Sequence, residues 1–184
     1  MKLDLITNKA IKTGNVNPND EFYTPVYAII PLLKYLKPNS TIYCPFDTEE
    51  SNFVKVLKQN RHIVLNSHIF SGQDFFDIKQ EKCNNIDYII SNPPYSIKAE
   101  VFDKLFNLKI PFAMLVGVVG LFESQKRFEM FKDNNFEIMY LNRRVSYFKD
   151  YTDPKPSLNP PFSSVYICSD ILPKQIVFEE IIKK

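Results

Sequence analysis

Short apolar runs recur along this chain, separated by stretches with helical spacing, and that rhythm admits few folds. The runs cover residues 41–46, 62–66, 88–90, 112–119, 136–141 and 164–169. Helical periodicity is expected over 26–36, 51–60, 97–106 and 124–134, and again in the tail from Lys174 onward. The apolar runs lack strict polar alternation, so their strands need cover on both faces, which is the condition of a parallel sheet between helix layers. Within 26–36, Thr24 is the expected N-cap and Pro25 suits the first turn, while Pro31 predicts a kink or break. Two segments fall outside the rhythm. Residues 1–21 form a polar arm, and residues 147–162 form a long loop carrying Pro154, Pro156, Pro160 and Pro161. Loops of that length in compact domains usually serve function.

The expectation is an α/β sandwich of Rossmann-like type, with a mostly parallel central sheet and helices on both faces. A chain of 184 residues suits one domain, 1–184, with a substantial core. In such sheets ligands bind beyond the carboxyl ends of the strands, where the strand order reverses. The apolar fraction of 45% and charged fraction of 24% are ordinary for a soluble globular protein, which excludes disorder along the whole chain. A net charge of +2 does not by itself announce a nucleic-acid partner. The cysteines Cys44, Cys83 and Cys168 are scattered, and His62 and His68 offer them no metal-ligand spacing. Neither a metal site nor a disulfide framework is expected, and a reducing, cytoplasmic setting is. The N-terminus lacks a signal-peptide core, and the apolar run 110–122 is too short for a membrane span.

Chemistry concentrates at Asn92-Pro93-Pro94-Tyr95, directly after the apolar run ending at Ile90. The prolines fix φ and donate no hydrogen bond, so the Pro93 carbonyl is held outward. Asn92 sets a side-chain carbonyl beside it. Two acceptors aimed at one point suit a planar –NH2 group, and Tyr95 can cover the ring that bears it.

This tetrapeptide resembles the Asn-Pro-Pro-Tyr motif of the amino-methyltransferases, above all the adenine-N6 DNA methyltransferases in their small phage-type form. The resemblance covers nearly the whole chain. It implies a class I methyltransferase sandwich, S-adenosylmethionine as methyl donor, and DNA as partner. Asn92, Pro93, Pro94 and Tyr95 are the implied catalytic residues. Glu21-Phe22-Tyr23-Thr24-Pro25 resembles the segment before the first helix that contacts the methionine end of the cofactor, placing Tyr23, Thr24 and Pro25 there. Gly72-Gln73-Asp74-Phe75-Phe76 resembles the segment that recognises the cofactor's adenine, with Asp74 accepting from its amine and Phe75 packing on its ring. Pro45 and Phe46 match the loop after the first strand.

The sequence also departs from the family pattern. Cys44 stands where that loop has a carboxylate, and Thr48 and Glu50 stand where it has glycines, which let backbone approach a ligand. The second strand ends in Asn66-Ser67-His68 without the acidic residue that binds ribose. Asp47, Glu49 and Glu50 are candidates to take over the missing carboxylate, and Asn66 and Ser67 to meet the ribose. Arg143 and Arg144 open a basic-aromatic cluster suited to phosphates, and Phe162 matches the aromatic that flanks the target base. Spare material for reading a sequence is scarce, so short or relaxed recognition is expected. RNA or a protein glutamine as substrate, and a non-catalytic binding or decoy protein, stay open as alternatives.

Overall fold

The computed structural model describes residues 22–183, so the expected N-terminal arm, 1–21, lies outside the described residues. Seven strands form one sheet among them: β1 (Thr41–Cys44), β2 (Ile63–Asn66), β3 (Tyr88–Ser91), β4 (Phe112–Gly117), β5 (Glu137–Leu141), β6 (Ser164–Ser169) and β7 (Ile176–Glu179). Their order is β2-β1-β3-β4-β6-β5-β7. β1 pairs in parallel with β2 and β3, β3 with β4, and β5 with β7. Only β6 runs against its neighbours β4 and β5. This is the mostly parallel α/β sheet that the apolar rhythm predicts.

The helices are α1 (Val26–Leu33), α2 (Asn52–Gln59), α3 (Lys98–Leu108) and α4 (Gln125–Lys132). Successive strand residues point to opposite faces, so the inner strands feed two cores. Ile42, Ile90, Ala113, Leu115 and Tyr166 pack under Ile29 and Leu32 of α1 and Phe53 and Leu57 of α2. Ile89, Phe112, Met114, Val116 and Ile167 pack on the other side under Val101, Phe102 and Leu105 of α3 and Phe131 of α4. Ser51 starts α2 by accepting from the Phe53 N–H, and Ser124 starts α4 by accepting from the Arg127 N–H.

Three expectations are corrected. The N-cap of α1 is Pro25, with no side-chain cap, because the Thr24 hydroxyl is engaged elsewhere. The helix runs through Pro31 and ends at Leu33, short of the expected 36. Proline lacks the N–H and its ring crowds the carbonyl one turn back, and only two helical residues follow the buried Pro31. The tail after Lys174 is not helical but forms β7. Ile176, Val177 and Phe178 are β-branched or aromatic and alternate with a period of two: Val177 is buried, Ile176 and Phe178 exposed. Glu179 fastens the strand by accepting from Lys34 at 2.7 Å and from the Tyr35 hydroxyl.

Candidate active site

The strand order reverses at β1: the chain leaves β1 to pair β2 on one side, then returns to pair β3 on the other. The residues just past β1 and β3 therefore flank the crevice where α/β sheets bind ligands. Past β1 lie Pro45, Phe46 and Asp47. Past β3 lies Asn92-Pro93-Pro94-Tyr95, with Tyr95 opening a short helical turn, Tyr95–Ile97.

Asn92 is held in a definite orientation. Its Nδ2 donates to the Phe22 carbonyl at 2.6 Å and to Thr24 Oγ1 at 3.2 Å. Its Oδ1 is enclosed and has no hydrogen-bond partner. Turning the amide over would set oxygen against the Phe22 carbonyl oxygen, so the acceptor must be the atom left over. An enclosed, unpaired carbonyl is costly in a folded chain.

Three residues on, Tyr95 belongs to a cluster of four aromatic rings from four parts of the chain. Phe22 is stacked on Tyr95 with centroids 5.0 Å apart and planes 26° apart. Phe162 approaches Tyr95 at 5.4 Å and meets Phe22 edge-on at 6.1 Å. Tyr147, fully buried, lies 5.2 Å from Phe22. Its hydroxyl shares hydrogen bonds with Tyr95 at 3.0 Å and Ser164 at 2.7 Å, and burial pushes its pKa up to about 12, so it stays a neutral strut. Phe162 reaches the group because Gly117 ends β4: a Cβ there would stand 2.8 Å from the Phe162 ring. The long loop is pinned at its base, where Tyr147 pairs with Leu158 and Phe148 with Tyr23.

On the β1 side, Asp47 is buried, and both carboxylate oxygens accept from hydroxyls, one from Ser51 at the start of α2 and one from Ser91 at the end of β3. Burial raises its pKa to about 6 against the opposing pull of those two hydroxyls. Tyr151, from the long loop, reaches Ser51 Oγ at 3.5 Å and packs edge-on against Tyr23 at 4.8 Å. Asn66 Nδ2 donates to the Asp47 carbonyl at 3.3 Å, and the Asp47 N–H donates to the Ser67 carbonyl at 3.1 Å. The Ser67 hydroxyl is shared with Tyr43 at 2.5 Å. Phe75 is buried against Phe46, centroids 5.2 Å apart, and Asp74 accepts from the Phe76 N–H at 2.9 Å. Glu49 and Glu50 turn outward onto Lys58 and Lys55, at 2.6 Å and 2.7 Å.

The structure thus gathers Asn92, Pro93, Tyr95 and Phe162 at one place, with Tyr23, Thr24 and Asp47 beside them. Arg143 and Arg144 are exposed just before the buried Val145 and Tyr147. Lys183 adds to their charge; burial, and then the like charge of Arg143, hold its pKa below the usual lysine value. Four residues of the site went unread as site residues in the sequence: Phe22, Ser91, Gly117 and Tyr147. Tyr147 and Gly117 carried weak signals, as an aromatic entering the long loop and a glycine ending a buried strand. Among the described residues no His, Cys, Asp and Glu side chains gather to hold a metal ion, and no helix is long and apolar enough to cross a membrane.

Sheet order, one reversed strand, and an Asn-Pro-Pro-Tyr turn past β3 define a class I methyltransferase fold. Among solved structures the chain is similar to a modification subunit of a putative type I restriction enzyme from Vibrio vulnificus YJ016, with a TM-score of 0.54 and 13% identity over 89% of this chain and 48% of that one. It is also similar to the type I restriction-modification system methyltransferase subunit from Streptococcus thermophilus, with a TM-score of 0.51 and 14% identity over 87% of this chain and 47% of that one. The chain therefore spans about half the length of either structure. No protein-family model and no curated protein matches it.

Proposed function

We propose that this chain is an S-adenosylmethionine-dependent methyltransferase acting on an exocyclic amine, N6 of adenine in DNA. The observation that carries the reading is the enclosed, partnerless Oδ1 of Asn92, fixed by its own amide donors and bordered by aromatic faces. Such an amine is a weak nucleophile because its lone pair is delocalised into the ring. Accepting its hydrogens at Asn92 Oδ1 and at the Pro93 carbonyl favours a pyramidal, more nucleophilic nitrogen, and a fixed approach supplies much of the remaining acceleration. In a duplex the base must leave the stack, and Tyr95 and Phe162 replace the stacking it loses. At 5.0 Å the Phe22–Tyr95 pair leaves no room for a third ring, so the incoming base displaces the Phe22 side chain.

S-adenosylmethionine would bring an activated methyl group on a positively charged sulfur, together with an ammonium group. The donor set past β1 fits it. Asp47 is a buried carboxylate held by neutral hydroxyls, which is the complement of a cationic ligand. Of the two residues in place of the usual glycines, Thr48 is exposed and Glu50 is drawn out to Lys55 of α2, as Glu49 between them is to Lys58. Tyr23, Pro25, Pro45, Phe46, Asn66 and Ser67 would line this half, with Asp74 and Phe75 toward the cofactor's adenine, and Arg143 and Arg144 would meet phosphates. One observation favours the rival reading, a binding protein without cofactor: Phe75 and Ser67 are already committed to internal contacts.

Transfer of a labelled methyl group to DNA, RNA and protein fractions, with Asn92→Ala beside the native chain, tests the proposal. Label should enter DNA, and the variant should lose at least about a hundredfold in kcat, the scale of one preorganised polar contact, while still binding cofactor. Undiminished transfer by the variant would refute the role of Asn92. Calorimetry showing no cofactor binding by the native chain would favour the rival.

A further inference from the structure

An asparagine amide is nearly symmetric in shape, so a site that needs its oxygen must have some means of telling oxygen from nitrogen. The chain supplies that means 68 and 70 residues away in sequence. Phe22 and Thr24 take up both hydrogens of Asn92 Nδ2, one on a backbone carbonyl and one on a hydroxyl. Thr24 is itself fixed: it is 1% exposed, and its carbonyl accepts from Asn52 Nδ2 of α2 at 2.8 Å. Between the two, the Tyr23 carbonyl accepts from the Phe148 N–H at 2.9 Å. The backbone between the two acceptors facing Asn92 is thus tied to the long loop through Tyr23 and to α2 through Thr24.

We propose that Thr24 is a positioning residue for the amine-holding site: its hydroxyl, with the Phe22 carbonyl, locks the Asn92 amide so that Oδ1 faces the substrate. The inference rests on the reading of Asn92 as the amine acceptor. A wrongly turned amide would set –NH2 against –NH2 and repel the substrate. Val matches Thr in shape but offers no acceptor, so Thr24→Val frees one hydrogen of Asn92 and weakens the preference between the two orientations. Thr24→Ser keeps the hydroxyl.

The test combines two readouts. The first is exchange of the Asn92 side-chain amide hydrogens in protein labelled with 15N at asparagine, the pair being identified by its disappearance in Asn92→Asp. Exchange should be slow in the native chain and in T24S, and at least about tenfold faster in T24V. The second is kinetic: T24V should lose about ten- to a hundredfold in kcat, and T24S should recover most of it. T24A carries the same comparison where T24V does not fold. Native exchange as fast as that of an exposed asparagine such as Asn85 would overturn the proposal, and so would native exchange and kcat in T24V. A native chain that transfers no methyl group refutes the reading of Asn92, while the exchange data still decide the role of Thr24.

Discussion

At the scale of single residues, the site pairs an unmet acceptor with an unmet charge. Asp47 shows what the second costs. Its carboxyl is raised to about 6 by burial, against an ordinary value of 3.8. A group whose folded pKa is raised adds stability that is fully present below the unfolded value and is lost as pH rises through the folded one. The empty protein should therefore lose stability between about pH 4 and pH 6 on this account. Asp47→Asn removes that loss. Urea denaturation should find the variant roughly 1–3 kcal/mol more stable at pH 7, with the gap closing toward pH 4, and calorimetry should find its cofactor binding weakened. A variant less stable than the native chain at every pH would show that the ionised carboxylate is structurally needed. Asn92 was legible because two prolines and an apolar strand bracket it. The partners that orient it were not, because bonds over 68 and 70 residues leave no local pattern.

At the scale of elements, the carboxyl ends of β1, β3 and β4 do the gathering. β4 contributes through what it lacks: Gly117 gives Phe162 a place to lie on the strand. Gly117→Ala should push that ring away from Tyr95, at a stability cost of about 1–3 kcal/mol for overpacking. The KM for DNA should rise about tenfold with cofactor affinity unchanged, as a lost stacking wall predicts. An unchanged KM would mean that Phe162 does not touch the substrate. Strands β1, β3, β4 and β6 are legible as apolar runs because burial on both faces leaves an unmistakable composition, and β2 and β5 are apolar enough to follow them although Ile63 and Leu65 are exposed. β7 was misread as helix because four residues at a sheet edge carry little periodicity, and its parallel pairing with β5 is a tertiary choice. The helical stretch expected over 26–36, with a kink or break at Pro31, ends at Leu33, two residues past that proline.

At the scale of the whole molecule, the sheet brings the donor half and the acceptor half of the site to one edge, on either side of the switch between β1 and β3. Arg143 and Arg144 after β5, with Lys183 after β7, form a basic flank. Replacing Arg143 and Arg144 together with Gln should lower the slope of log affinity against log salt for DNA by up to about 2, close to one per phosphate contact. An unchanged slope would place the nucleic acid elsewhere. With a net charge of only +2, the proposed binding of DNA would draw on that local flank and not on the overall charge. On the proposed function, the pocket at Asn92 delivers a methyl group to an exocyclic amine. The most direct measurement is nucleoside mass analysis of unmethylated DNA incubated with the native chain and S-adenosylmethionine, with Asn92→Ala as control. The account predicts N6-methyladenine with the native chain and none with the variant; no methylated nucleoside from either, or equal amounts from both, would contradict it.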